Sequence, residues 1–195
     1  MPEESDESLM ARYAGGDAAA FDTLFRRYAA RIRAFFSRSF NNSAICDDLL
    51  QTTFLKLHHG RENFDSAQPF RPWIYTLATR VSIDELRRQY RSRAQGETSL
   101  DTLTPLEEPR DSASAETFEL RRRVRRALES LPEAQRTVVL LHRFEGMTFS
   151  EIAGILTTVE GRDVHEGAVR VRAFRAYATL RSELIEVIER AGVAQ

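Results

Sequence analysis

Between residues 21 and 36 the apolar side chains Phe21, Leu24, Phe25, Tyr28, Ile32, Phe35 and Phe36 fall at i, i+3, i+4, i+7, i+11, i+14 and i+15. That spacing follows the 3.6-residue period, so it puts seven large groups on one stripe of an α-helix and leaves arginines on the other face. A second helix is expected over about 44–59, with Leu50, Phe54 and Leu57 inward. A third begins near Pro72, whose fixed φ suits a first helical turn, and turns Trp73, Leu77 and Val81 inward. No segment alternates apolar and polar residues with the period of a strand, so the fold class is all-α.

The stretch from Ala94 to Ala115 holds Gly, Ser, Thr, two prolines and acids, with almost nothing to bury, and reads as a flexible linker. It divides the chain into two small helical domains, 1–93 and 116–195, joined by an acidic segment over 94–115. In the second domain an Arg-rich helix is expected over 116–130. Pro132 opens another, which carries the apolar run from Val138 to Leu141 and stops at Gly146. Thr148, Phe149, Ser150 and Glu151 form a capping-box pattern that starts the next helix. A last helix from about Gly167 stacks Val169, Ala173, Ala176 and Leu180 on one face. Two helices joined by a turn, the second rich in Arg, make a helix-turn-helix.

The formal net charge of −1 argues against nucleic acid, but its distribution argues for it. Residues 71–93 carry six Arg against Asp84 and Glu85, and residues 120–143 carry seven Arg against Glu129 and Glu133. Between them, residues 94–119 hold seven acids and only Arg110. Lys56 is the one lysine of the chain, and arginine is the better residue for phosphate and base edges because its planar fork makes paired hydrogen bonds. Any one charge run is also what a solvated helix face looks like.

Several function classes are disfavoured. Nothing approaches the roughly 18–20 apolar residues of a membrane helix, and no secretory apolar region follows the acidic start, so a cytoplasmic protein without membrane insertion is expected. The single cysteine, Cys46, excludes an internal disulfide. Cys46 with His58 and His59 lacks metal-ligand spacing or an activating partner, and no Gly-rich phosphate loop or paired-carboxylate motif occurs. Neither catalytic residues, nor a metal, nor a cofactor is expected.

The segments DDLLQTTFLKLH (47–58) and FRPWIYTLATRVSIDELRR (70–88) resemble the polymerase-binding and promoter-melting helices of extracytoplasmic-function sigma factors. LPEAQRTVVLLHRFEGMTFSEIAGIL (131–156) and GAVRVRAFRAYATLR (167–181) resemble the second domain of the same family, in the same order, with the linker in its expected place. The resemblance implies a promoter-specificity subunit, monomeric when free, whose partners are core RNA polymerase, promoter DNA and an anti-sigma factor. It implies that Asp47, Asp48 and Gln51 lie on the face that docks on the largest polymerase subunit. Acids at a helix start also suit the helix dipole alone.

In the family, the loop equivalent to 61–70 shapes a pocket for a base flipped out of the non-template strand of the minus-ten element. Asp65, Ser66 and Gln68 are expected to supply its polar groups and Phe70 a wall, although Phe64 and Phe70 are equally suited to a core. Thr76, Arg80, Asp84, Arg87 and Arg91 then form the face along the upstream edge of that element, with Arg87 and Arg88 on phosphates. Arg170, Val171, Phe174 and Arg175, with Arg172 on the same helix, are expected at the minus-thirty-five element. The acidic linker is expected to thread through the polymerase in place of nucleic acid, or to serve only as a solubilising tether.

The chain departs from the family pattern in four places. Thr52 stands where an acid is usual, Arg80 where Asn is common, and Val171 and Phe174 where polar DNA-facing residues are usual. The ten residues TTVEGRDVHE between Leu156 and Gly167 exceed the usual spacing by six. They form a longer surface loop, or they fold back to pack Val159 or Val164 against Val171 and Phe174. The alternative function is a sigma-mimicking partner-switch protein that binds an anti-sigma factor without binding DNA. Such a mimic has no use for Arg87, Arg88, Arg170 and Arg175. A nucleic-acid enzyme has no site to assemble, and a plain helix-turn-helix repressor has no use for 47–88.

Overall fold

The stripe on residues 21–36 becomes helix α2 (Ala18–Ser37) in a computed structural model that describes residues 4–95 and 115–190. Its Leu24, Tyr28, Ile32, Phe35 and Phe36 are buried, while Phe25 lies at the edge of the stripe and stays 40% exposed. Helix α1 (Asp6–Ala14) precedes it, capped by the Ser5 side chain, and α3 (Ser43–Gly60) follows, capped by Asn42. A 3₁₀ turn (Arg61–Asn63) and a short loop lead to α4 (Phe70–Ala94). The second group comprises α5 (Ala115–Ser130), α6 (Glu133–Val139), α7 (Phe149–Glu160) and α8 (Glu166–Arg190). No strand occurs among the described residues, so the fold is all-α. Apart from its two ends, the linker expected over 94–115 lies outside the described residues.

Two compact units are distinguished: one contains α1–α4 and residues 154–162, the other α5, α6, the start of α7 and α8. In the first, α1 and α3 pack on α2, and α4 packs on α3. Its core centres on Phe35, Phe36, Phe70 and Tyr75, each with no more than 2% of its surface accessible. Burying each such ring contributes roughly 2–3 kcal/mol against the entropy of ordering the chain. Helix α1 is anchored by charge as well as by Leu9 and Met10: Asp6 accepts from Arg27 and from the Tyr28 hydroxyl. Cys46 is part of this core.

The inward stripe of α4 is rotated from the one the sequence suggested. Ile74, Tyr75, Ala78 and Val81 are buried, whereas Trp73 and Leu77 are half-buried. Phe70, Trp73, Ile74, Tyr75, Leu77 and Ala78 spread over about 200° of the first turns, so local spacing alone does not choose the centre of the inward face. The Trp73 ring packs on Phe64 and Phe70 and covers Gly60, where an added Cβ would meet the indole at 3.4 Å.

In the second unit α5 and α6 pack on α8. Arg136 turns inward and donates to the Glu129 and Leu131 carbonyls at 2.8 and 3.2 Å, placing a cation at the C-terminal end of α5. After α6 the backbone widens into a π turn (Leu140–Phe144), in which the Glu145 N–H donates to the Leu140 carbonyl. Gly146 then takes φ +65°, and the Met147 N–H reaches back to the Leu141 carbonyl at 3.1 Å. This six-residue closure requires the left-handed conformation that glycine adopts at least cost.

Candidate functional site

Three exposed surfaces carry the residues singled out from the sequence. On α3, Asp48 and Gln51 are exposed, with Leu55 beside them at 51% exposure. Asp47 is tied down: it accepts from Arg33 Nε at 2.6 Å, and Arg33 also donates to Ser43 Oγ at 2.7 Å. Asp47 thus joins α3 to α2 as well as lying on the exposed face. Next to this face a groove of about 530 Å³ runs between α1, α2 and α3, with Tyr13, Phe25, Gln51, Phe54, Leu55 and His58 among its walls. The Tyr13 hydroxyl and His58 Nδ1 stand 2.6 Å apart across one end, and burial pushes the Tyr13 phenol above its usual pKa.

The second surface is the 64–70 loop with the outer face of α4. Asp65 shapes the loop: its Oδ1 accepts from the Ala67 N–H and its carbonyl from the Gln68 N–H, both at 2.9 Å. Ser66 and Gln68 are exposed. Phe70 is fully buried against Tyr28, Phe64 and Trp73, which corrects its expected role as a pocket wall open to solvent. Its ring belongs to the core because it opens α4 over α2. Arg80, Asp84, Arg87, Arg88 and Arg91 are exposed, whereas Thr76 is buried and donates to the Pro72 carbonyl. Arg88 makes a forked pair with Glu85 at 2.7 and 2.8 Å.

The third surface follows the capping box, which forms in full. Thr148 N–H donates to the Glu151 carboxylate at 2.7 Å, and the Glu151 N–H donates to Thr148 Oγ1 at 3.2 Å. On α8, Val169, Ala173 and Ala176 are buried, while Gly167, Arg170, Val171, Phe174, Arg175 and Ala178 are exposed. At 100° per residue, Gly167, Val171, Phe174 and Ala178 form one ridge, with Arg170 on one flank and Arg175 on the other. Val171 is 48% exposed and Phe174 75%, so the fold-back of Val159 or Val164 onto them does not occur. The first four inserted residues instead continue α7 to Glu160, where Gly161 ends the helix at φ +66°. Val164 is buried in the short connection that remains.

Residues 24–92 match the family described as Sigma-70 region 2, and residues 121–180 match Sigma-70, region 4. The chain is 29% identical over 195 residues to the ECF RNA polymerase sigma-E factor of Escherichia coli (strain K12), covering 95% of this chain and 97% of that protein. It is 35% identical over 178 residues to RNA polymerase sigma factor CarQ of Myxococcus xanthus, covering 91% of this chain and 97% of CarQ. The chain belongs to the extracytoplasmic-function sigma factors. Among solved structures, this sigma factor is similar to CnrH, solved in complex with the cytosolic domain of CnrY. That likeness has a TM-score of 0.67 at 26% identity and covers 94% of this chain and 99% of CnrH. Its fold also resembles that of the sigma factor RpoE solved with the anti-sigma factor NepR from Bartonella quintana, with a TM-score of 0.61 at 21% identity. That match covers 84% of the sigma factor and 96% of RpoE.

Two features of the sigma factor escaped the sequence reading. Helix α1 and its Tyr13, which complete the groove, were not foreseen, although Ser5 ahead of Leu9, Met10 and Tyr13 is a short capped helix pattern. The contacts of His142, Phe149 and Tyr177 around Arg170 were also not foreseen. No helix among the described residues is long and apolar enough to cross a membrane.

Proposed function

We propose that this sigma factor binds core RNA polymerase through the exposed α3 face around Asp48, Gln51 and Leu55, with Asp47 holding that face in place. It directs initiation at promoters whose minus-ten element meets Asp65, Ser66 and Gln68 in the loop and Arg80, Asp84, Arg87 and Arg88 on α4. The minus-thirty-five element lies against Arg170, Val171, Phe174 and Arg175. The observation that carries this reading is the ridge on α8. An apolar pair at 48% and 75% exposure costs solubility unless something covers it, and here arginines flank it on both sides. A major groove that presents thymine methyl groups between phosphates and guanine edges is complementary to that arrangement.

An anti-sigma factor holds the protein inactive in the cytoplasm, in keeping with its likeness to CnrH, which was solved bound to the cytosolic domain of CnrY. A pull-down from the native host that returns polymerase but no second regulator contradicts this part. The partner-switch alternative is disfavoured by Arg87, Arg170 and Arg175, all exposed on the faces proposed to meet DNA. Arg88 and Arg170 argue less strongly, since Glu85 and Glu166 already engage them.

The test is duplex binding with and without core polymerase. With a net charge of −1 the free monomer attracts DNA weakly. Fluorescence anisotropy is expected to show tight, salt-sensitive promoter binding only when core is added. Sub-micromolar promoter affinity of the isolated chain contradicts the reading.

A further inference from the structure

Arg170 does not project alone from α8. Its Nε and Nη2 both donate to Glu166 Oε1, at 3.0 and 2.5 Å, and its guanidinium carbon lies 5.1 Å from the centre of the Phe149 ring. Phe149 in turn stacks on His142, with ring centroids 4.4 Å apart and planes 7° from parallel. His142 Nδ1 is 2.9 Å from the Tyr177 hydroxyl. Glu166, Arg170 and Tyr177 are spaced i, i+4 and i+11, so they share one side of α8. From Arg170 to Tyr177 is seven residues, or about 10.5 Å along the axis. The two stacked rings bridge that distance, forming a brace two turns long beside the helix.

The elements that supply the brace are fixed independently. Phe149 opens α7 directly after the capping residue Thr148, and His142 sits within the π turn, a local widening often found where a side chain has a task. Burial raises the pKa of the Tyr177 phenol, so the hydroxyl stays protonated beside the imidazole. A guanidinium over an aromatic face keeps its plane, and a planar fork reads a base edge only when the two planes match. An arginine held only by the exposed Glu166 pair would sample many planes, because such a pair is weak.

Resting on the reading that α8 enters promoter DNA, we propose that Phe149, His142 and Tyr177 are positioning residues that fix the plane of the Arg170 guanidinium for base recognition. None of the three touches DNA in this role; they act through Arg170.

The experiment is a double-mutant cycle on intact holoenzyme, reading promoter affinity and base preference from a library randomised across the minus-thirty-five element. Arg170→Ala flattens the preference at the position or positions that Arg170 reads. Phe149→Leu flattens the same positions and no others, and weakens affinity about two- to fivefold, the range of an exposed cation–π contact. In the Arg170→Ala background Phe149→Leu has no further effect, and Phe149→Tyr behaves as wild type. If Phe149→Leu loses its folded melting transition, His142→Ala takes its place in the cycle with the same expectation. Additive losses, or a preference change at positions that Arg170→Ala leaves intact, overturn the proposal. Wild-type holoenzyme with no minus-thirty-five preference at all is a different result, since it contradicts the promoter reading itself.

Discussion

The Glu7 carboxylate accepts a hydrogen bond from the Phe70 backbone N–H at 2.9 Å, so a residue of α1 caps the first turn of α4, 63 positions away. The N–H groups of a first turn have no partner within their own helix, and a carboxylate there also meets the positive end of the helix dipole. This contact ties the first helix to the element that carries Arg80, Asp84, Arg87 and Arg88. Glu7→Ala is expected to destabilise the first unit by about 1–2 kcal/mol. Glu7→Gln, which keeps an acceptor oxygen, should lose about half as much. Urea denaturation of both variants beside wild type checks the order, and equal losses would show that the charge alone matters.

Much of the first unit was legible because α2 repeats its apolar period over four turns. Helix α1 was not, since two buried residues in nine make too short a stripe and its anchors, Arg27, Tyr28 and Phe70, are distant in sequence. The inward face of α4 was less legible, because apolar groups spread over about 200° of its first turns. In the second unit the capping box and Gly146 marked their boundaries correctly, both being local chemistry. The inserted TTVEGRDVHE was harder to read. Nothing in TTVE breaks a helix, so α7 runs on to the glycine at 161, and Val171 and Phe174 are left uncovered.

Asp48→Arg is expected to weaken core polymerase binding on the order of tenfold, because it reverses a charge on the exposed α3 face. Leu55→Ala should weaken it severalfold with little change in stability, since that side chain is already half exposed. Competition against a labelled sigma factor for core, with melting temperatures alongside, checks both. Asp47→Ala differs in kind: it removes the Arg33 pair, and its effect should appear as altered packing of α3 on α2.

Arg87→Ala combined with Arg88→Ala should weaken promoter complexes about equally across sequences and leave core binding intact. Phosphate contacts position without specifying, and the slope of log affinity against log salt should fall by about 1–2. Losing Arg88 leaves the Glu85 side chain, only 11% exposed, with Gln89 as a donor, so a modest loss of stability should accompany the loss of promoter affinity. A loss of core affinity instead would move this face into the polymerase contact.

If Val171 and Phe174 cover thymine methyl groups, replacing thymine by deoxyuridine within the selected minus-thirty-five element should weaken holoenzyme binding about fourfold at the contacted position, the cost of one buried methyl. Hydrogen-bonding groups on the base are unchanged by that swap. Val171→Ser should shrink the difference between the two bases at the position it meets. Equal affinity for both templates at every position would show that the ridge is covered by something other than thymine.

Run-off transcription from a fully double-stranded template measures directly whether this chain confers promoter specificity on core polymerase. Core polymerase alone is expected to give no specific transcript from a promoter selected by the reconstituted holoenzyme. Adding the purified chain should produce one defined start site, lost on scrambling either element and reduced by Arg87→Ala with Arg88→Ala. A chain that binds core or an anti-sigma factor, yet never yields a defined transcript from any selected duplex, would contradict the account and favour a sigma mimic.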